Sequence, residues 1–105
     1  MREYNILITG VGGQGVLFIA EILGESAMLE GYDVKVGEIH GMAQRGGSVT
    51  VHVRFGEEVY SPTIPKGGAD VIVALEPLEA VRILYYVNPE SIFVVNSNVI
   101  FPSAT

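Results

Sequence analysis

A chain of 105 residues with 49% hydrophobic content is long enough for one domain with a modest core of its own, and no linker, repeat or low-complexity run divides it. Its formal net charge of −6 comes from scattered Asp and Glu, and its few Lys and Arg form no basic patch, which argues against a nucleic-acid surface. Without cysteine, the sequence excludes disulfides, zinc-thiolate sites, a cysteine nucleophile and any iron–sulfur cluster ligated wholly from this chain. The longest apolar stretches are strand-sized or carry glutamates, and the N-terminus lacks the long apolar segment of a secretory signal. The chain therefore reads as cytoplasmic and without a membrane span.

Tyr4 to Thr9 predicts a strand, and the consecutive Ile6, Leu7 and Ile8 predict burial on both faces, as in the middle of a parallel sheet. The strand breaks into Gly10-Val11-Gly12-Gly13-Gln14-Gly15, which satisfies G-x-G-x-x-G between a strand and a helix. A helix starting near Gly13 or Gln14 aims unpaired N–H groups and its positive dipole end back at this turn, a geometry that holds an anion. The plainer reading is that the glycines only let strand and helix pack closely. Val16, Ile19, Ala20, Leu23 and Ala27 supply the helix's apolar stripe, Glu21 and Glu25 lie on the opposing side, and Gly31 is placed to end it.

Asp33 to Ile39 alternates Val34, Val36 and Ile39 with polar residues and predicts a second strand parallel to the first, completing a βαβ unit. In a dinucleotide-binding fold an acidic residue near the end of that strand binds the adenine ribose, and Glu38 is the candidate. The loop His40-Gly41-Met42-Ala43-Gln44-Arg45-Gly46-Gly47 follows, too unusual in composition for ordinary turn chemistry. Ser48 to Phe55 alternates strictly, with Val49, Val51, Val53 and Phe55 predicted on a buried face and Ser48, Thr50, His52 and Arg54 on an exposed one. Val59-Tyr60-Ser61 reads as a short returning strand, giving an antiparallel hairpin after the βαβ unit.

Pro62 to Ala69 predicts a loop, and the apolar run Val71 to Leu75 a central strand. A helix starts at Glu76 and Pro77, carries Leu78, Val81, Leu84 and Tyr85 on one side, and stops at Asn88-Pro89. Ser91 to Val95 predicts another buried strand, and Val99, Ile100 and Phe101 the start of one more. The expected fold is α/β, a three-layer Rossmann-like sandwich with a mostly parallel sheet and an inserted antiparallel hairpin. With no closing helix, an uncovered edge or face is expected to associate with another copy or a partner.

The chemistry-bearing residues are few. His40 and His52 lack spaced partners of metal-site type, and neither a G-x-S-x-G elbow nor a paired-carboxylate arrangement occurs, so no catalytic residue and no metal ligand is assigned. The glycine turn and the His40–Gly47 loop follow the carboxyl ends of the first two strands, where open α/β sheets bind ligands. Arg45 has the fork geometry to grip a carboxylate or phosphate, or alternatively to pair with Glu38 or loop carbonyls.

The glycine turn, the segment from Glu38 through Arg45-Gly46-Gly47 to Val49, and Ile64-Pro65-Lys66-Gly67-Gly68-Ala69-Asp70 together resemble the gamma-type domain of the 2-oxoacid:ferredoxin oxidoreductase family, most nearly its indolepyruvate branch. The resemblance covers essentially the whole chain. It implies decarboxylation of a 2-oxoacid on thiamine diphosphate with Mg, electron transfer through iron–sulfur clusters to ferredoxin, and formation of an acyl-coenzyme A. It further implies that thiamine and clusters belong to a large partner subunit, that this chain alone holds no cofactor, and that the domain helps accommodate coenzyme A. The implied cofactor-binding positions are Gly10, Gly12, Gly13, Gln14, Gly15, Glu38, His40, Arg45, Gly46 and Gly47. Family members are considerably longer, so residues 1–105 are expected to be a single gamma-type domain lacking its C-terminal part, with a homodimer open to the isolated chain.

Two other readings stay open on the residues themselves. Gly10, Gly12, Gly15 and Glu38 support a free-standing NAD(P)-binding Rossmann-type domain. A binding or assembly module, with glycines serving only close packing, is the other.

Overall fold

The apolar run that heads the sequence occupies the centre of a five-stranded sheet. In this computed structural model, which describes residues 3–11, 14–40, 48–75 and 83–95, the elements are β1 (Tyr4–Val11), α1 (Gln14–Leu29), β2 (Asp33–His40), β3 (Ser48–Gly56), β4 (Val71–Ala74) and β5 (Ile92–Val95). A 3-10 turn, Leu84–Tyr86, precedes β5. The strand order is β2-β3-β1-β4-β5. β4 pairs parallel with both β1 and β5, whereas β3 runs antiparallel to both β1 and β2. Four strands therefore share one direction and β3 alone opposes them, which is the mostly parallel sheet with an antiparallel insertion that the sequence predicts.

β2 runs in the direction of β1, as a βαβ unit requires, but β3 is threaded between them. The hairpin is thus β2 with β3, joined through 41–47, and the predicted pairing of β3 with Val59-Tyr60-Ser61 does not form. Both hydrogen-bonding edges of β3 are already occupied by β1 and β2, so no edge remains for a returning strand. The segment leaves the sheet instead. Its Val59 side chain is buried, and the Val59 N–H donates to Asp33 Oδ2 at 2.9 Å.

Residues alternate across β1, so it feeds a core on each face. Ile6 and Ile8 join Val49, Val51 and Val53 of β3 beneath Val16 and Ala20 of α1. Leu7 joins Ile72 of β4 beneath Ile64, Ala69 and Ile83 on the opposite side. Burying each such side chain contributes about 1.5–3 kcal/mol, which is why a four-residue strand as short as β4 holds its place. The predicted stripe of α1 faces the sheet, with Val16, Ala20 and Ala27 buried and Ile19 and Leu23 packed on the core's margin. Gly31, at φ +93°, ends the helix: its N–H donates to the Met28 carbonyl at 2.9 Å and the Tyr32 N–H to the Ala27 carbonyl at 3.1 Å. That paired pattern satisfies the helix's last carbonyls and needs a left-handed residue, which glycine supplies without strain.

Two expectations in the second half are corrected. Of the helix predicted from Glu76, residues 76–82 lie outside the described residues, and Leu84–Tyr86 is a 3-10 turn. β5, predicted buried, has all four side chains exposed, because it forms the sheet's edge and neither core extends to it. The possible strand at Val99 to Phe101 lies outside the described residues.

Candidate functional site

The carboxyl ends of β1, β2 and β4 and the start of β3 meet along one edge of the sheet. Val11, the last residue of β1, is in register with Ser48, the first of β3, and His40, the last of β2, is in register with Val49. The chain leaving β1 toward the glycine turn and the chain entering β3 from the arginine loop are therefore neighbours. α1 starts at Gln14, so its N-terminus opens at this same edge, and its first turn carries no acidic residue to neutralise the dipole. On the face away from α1, Thr9 and Thr50 share a hydroxyl hydrogen bond at 3.3 Å, and the Leu75 N–H donates to the Thr9 carbonyl at 2.9 Å, tying β1 to its neighbours near this edge.

The sequence-derived site residues separate into groups. Gly10 lies within β1, where a Cβ would stand 2.9 Å from Val16 Cγ2 and 3.2 Å from Leu75 Cβ. Its missing side chain thus serves close packing of strand, helix and β4's end. Gly15 is less demanding, with a Cβ reaching 3.4 Å from Leu75 Cδ1. Gln14 and Gly15 form the start of α1, and His40 ends β2. Gly12, Gly13, Arg45, Gly46 and Gly47 lie outside the described residues, as does the alternative pairing of Arg45 with Glu38.

Glu38 is exposed on β2, in register with Val51, and faces the α1 side. In a dinucleotide-binding fold the acid-bearing strand lies beside the glycine turn. Here β3 intervenes, and Glu38 stands two strand spacings, about 10 Å, from the axis of β1. The strand order therefore disfavours the free-standing nicotinamide reading. Among the described residues, no group of His, Asp or Glu is placed to hold a metal ion, and no helix is long and apolar enough to cross a membrane.

What sequence reasoning missed is the polar face of β3, which was expected to be solvated and is buried. Arg54 is 6% exposed and spends its guanidinium on four partners. Nε donates to Asn5 Oδ1 at 2.9 Å, Nη1 to the carbonyls of Ser61 and Thr63 at 2.9 and 2.8 Å, and Nη2 to the Glu3 carboxylate. Asn5, also buried, donates through Nδ2 to the Gly68 carbonyl at 2.8 Å, and its backbone N–H donates to Asp70 Oδ2 at 2.8 Å. Two residues along β3, His52 Nδ1 accepts the Ile64 N–H at 2.9 Å, so the neutral ring carries its proton on Nε2. Nε2 has no hydrogen-bond partner among the described residues, and the ring meets Tyr86 edge-to-face at 5.0 Å. Burial, and next the charge of Arg54, push the His52 pKa below its ordinary value, so His52 is a neutral structural acceptor. The only signal in the sequence was the alternation itself, which registers the polar face without saying what covers it.

The Ile64–Asp70 segment is structural as well. Pro65 to Gly68 is a turn closed by the Gly68 N–H on the Pro65 carbonyl at 2.9 Å, with Gly67 at φ +66°. Gly67 and Ala69 N–H groups donate to the Tyr85 and Tyr86 carbonyls, and Asn88 Nδ2 donates to the Gly67 and Ala69 carbonyls. This anchor stands at the amino end of β4, away from the edge where β1 ends and β3 begins.

Residues 5–105 match the family described as pyruvate ferredoxin/flavodoxin oxidoreductase. The chain belongs to this family. Over 102 residues it is 53% identical to the indolepyruvate oxidoreductase subunit IorB of Thermococcus kodakarensis, covering 97% of this chain and 50% of that one. The gamma-type fold recurs in a pyruvate oxidoreductase subunit of Thermotoga maritima, with a TM-score of 0.71 at 24% identity over 98% of this chain and 55% of that one. It recurs again in a 2-oxoglutarate:ferredoxin oxidoreductase of Magnetococcus marinus solved with 2-oxoglutarate, coenzyme A and succinyl-CoA bound, with a TM-score of 0.77 at 19% identity over 92% of this chain and 17% of that one. The chain spans about half the length of the curated relatives it matches.

Proposed function

We propose that this chain is the gamma-type part of a non-autonomous subunit in a cytoplasmic, thiamine diphosphate-dependent 2-oxoacid:ferredoxin oxidoreductase acting on indolepyruvate or another arylpyruvate. The observation that carries the reading is the register of Val11 with Ser48 at the N-terminal end of α1, in a chain 53% identical to an indolepyruvate oxidoreductase subunit. On this reading the glycine turn and the arginine loop enter one edge of the sheet side by side. The glycine turn from Gly12 to Gly15 and the loop around Arg45 line the ligand-facing edge for coenzyme A, a helix terminus being suited to an anion and an arginine fork to a carboxylate or phosphate. Gly10 sets the approach of helix to strand, and His40, Gly46 and Gly47 shape the loop's contribution.

Thiamine diphosphate, its Mg and the iron–sulfur clusters reside on the large partner subunit, where decarboxylation and electron release to ferredoxin take place. A chain without cysteine has no thiolate to ligate such clusters, which agrees with this division.

The test combines the full-length protein with its large subunit. Each alone is expected to leave ferredoxin oxidised in the presence of arylpyruvate and coenzyme A, and the mixture to reduce it with acyl-coenzyme A formed. Arylpyruvate oxidation by this protein alone would refute the reading. In the mixture, Arg45→Gln is expected to raise the KM for coenzyme A about tenfold, the value of one lost charge-assisted contact, with kcat little changed.

A further inference from the structure

Between α1 and the edge strand β2 lies a groove of about 630 Å³ that the proposed function does not use. Its floor is the α1 side of β2: Val34, Val36 and Glu38, one residue in two, spaced about 7 Å apart. Its wall is the stripe Leu17, Glu21, Glu25 and Met28 of α1, three and four residues apart and so on one helix surface. Gly24 faces Val34 and Val36 of the strand, and a Cβ there would make ordinary van der Waals contact with both at 3.7 Å. The apolar components remain open to solvent, with Val36 47% and Met28 57% exposed. Among the described residues, the charged ones lining the groove are Glu21, Glu25 and Glu38. Lys35, the cation of this strand, lies on the opposite face and pairs with Asp33 at 3.0 Å.

Among the described residues β2 pairs only with β3, so its outer edge is the place where another strand adds to the sheet. We propose that the groove receives an extended segment of a partner polypeptide that pairs with β2 and bears alternating apolar residues with a Lys or Arg among them. An added strand sets its inward side chains directly opposite Val34 and Val36, and cross-strand pairing then asks for apolar partners. Glu21 and Glu25, one helical turn apart on the wall, set the demand for positive charge along the groove. A second copy of this chain is the poorer occupant, because pairing groove to groove juxtaposes like carboxylates in a chain whose net charge is already −6. This proposal is independent of the coenzyme A reading, since it concerns the edge strand's flank and not the carboxyl ends of the strands.

The test titrates the full-length protein with short labelled peptides whose every second, inward-facing residue reads Val, Val and Lys, or Gly, Gly and Lys, or Val, Val and Glu, with Thr at the positions between; they are named below Val–Lys, Gly–Lys and Val–Glu. The Val–Lys peptide is expected to bind at least about tenfold more tightly than either other peptide, and to slow amide exchange over residues 34–39. Glu21→Lys combined with Glu25→Lys, on the helix surface and outside both cores, is expected to reverse the preference toward the Val–Glu peptide. Equal binding of the Gly–Lys peptide would reduce the effect to acidic attraction and overturn the proposal. So would an unreversed preference, protection confined to another segment, or sedimentation showing a dimer that the double substitution dissociates.

Discussion

β3 buries both its faces, against different materials. One face, Val49, Val51 and Val53, meets Val16 and Ala20 of α1 in an apolar contact that any well-shaped hydrocarbon would satisfy. On the other, His52 and Arg54 meet the 57–70 segment through hydrogen bonds to backbone atoms of Ser61, Thr63 and Ile64, while Thr50 bonds the Thr9 hydroxyl of β1. A helix arrives with its own backbone bonds made and needs only an apolar seat. An irregular segment has N–H and C=O groups that must find partners once covered, and the polar side chains of β3 are those partners. The alternation that ordinarily marks a half-exposed strand here marks a strand that carries a helix on one side and a loop on the other.

The comparison breaks most visibly at Arg54. Arg54→Leu keeps the bulk but strands the Ser61 and Thr63 carbonyls and Asn5 Oδ1 and removes the guanidinium from the Glu3 carboxylate, and is expected to cost about 4 kcal/mol in denaturant unfolding. Amide exchange in 57–70 is expected to accelerate before that of α1. Val51→Ala, on the other face and fully buried, removes methyl groups and leaves a cavity, with an expected loss of about 2 kcal/mol and no selective loosening of the loop. Gly67→Ala places a side chain at φ +66° and is expected to cost about 1 kcal/mol, read as a lowered melting temperature.

The gentlest probe is pH. Folded His52 has its pKa lowered from 6.5, and its Nδ1 must stay unprotonated to accept the Ile64 N–H. The unfolded chain therefore takes up this proton first. The stability that His52 contributes is complete above about pH 6.5 and declines as pH falls below it toward the lowered value. His52→Gln is expected to flatten that part of the stability–pH curve, and an unchanged slope would assign it to another group.

Legibility in the sequence followed the same division. Consecutive Ile6, Leu7 and Ile8, the stripe of α1 and the left-handed Gly31 were readable because each depends on neighbours within a few residues. The predicted pairing of β3 with Val59-Tyr60-Ser61 failed because adjacency favoured it, whereas the sheet had already taken both edges of β3. Glu38 was legible as an acid at a strand's end, but not as part of a groove floor, since that depends on β3 standing between β2 and β1. The first motif glycine was legible as a glycine, and only the proximity of Val16 and Leu75 shows that Gly10 answers to packing.

By itself the sequence determined the local elements, the two-sided burial of β1 and the family, because periodicity, glycine placement and motif identity are written along the chain. The tertiary structure alone decided which strands are neighbours and what covers the polar face of β3. Those outcomes turn on competition among distant segments for the same hydrogen-bonding edges and the same buried surface, a competition that no stretch of residues records alone.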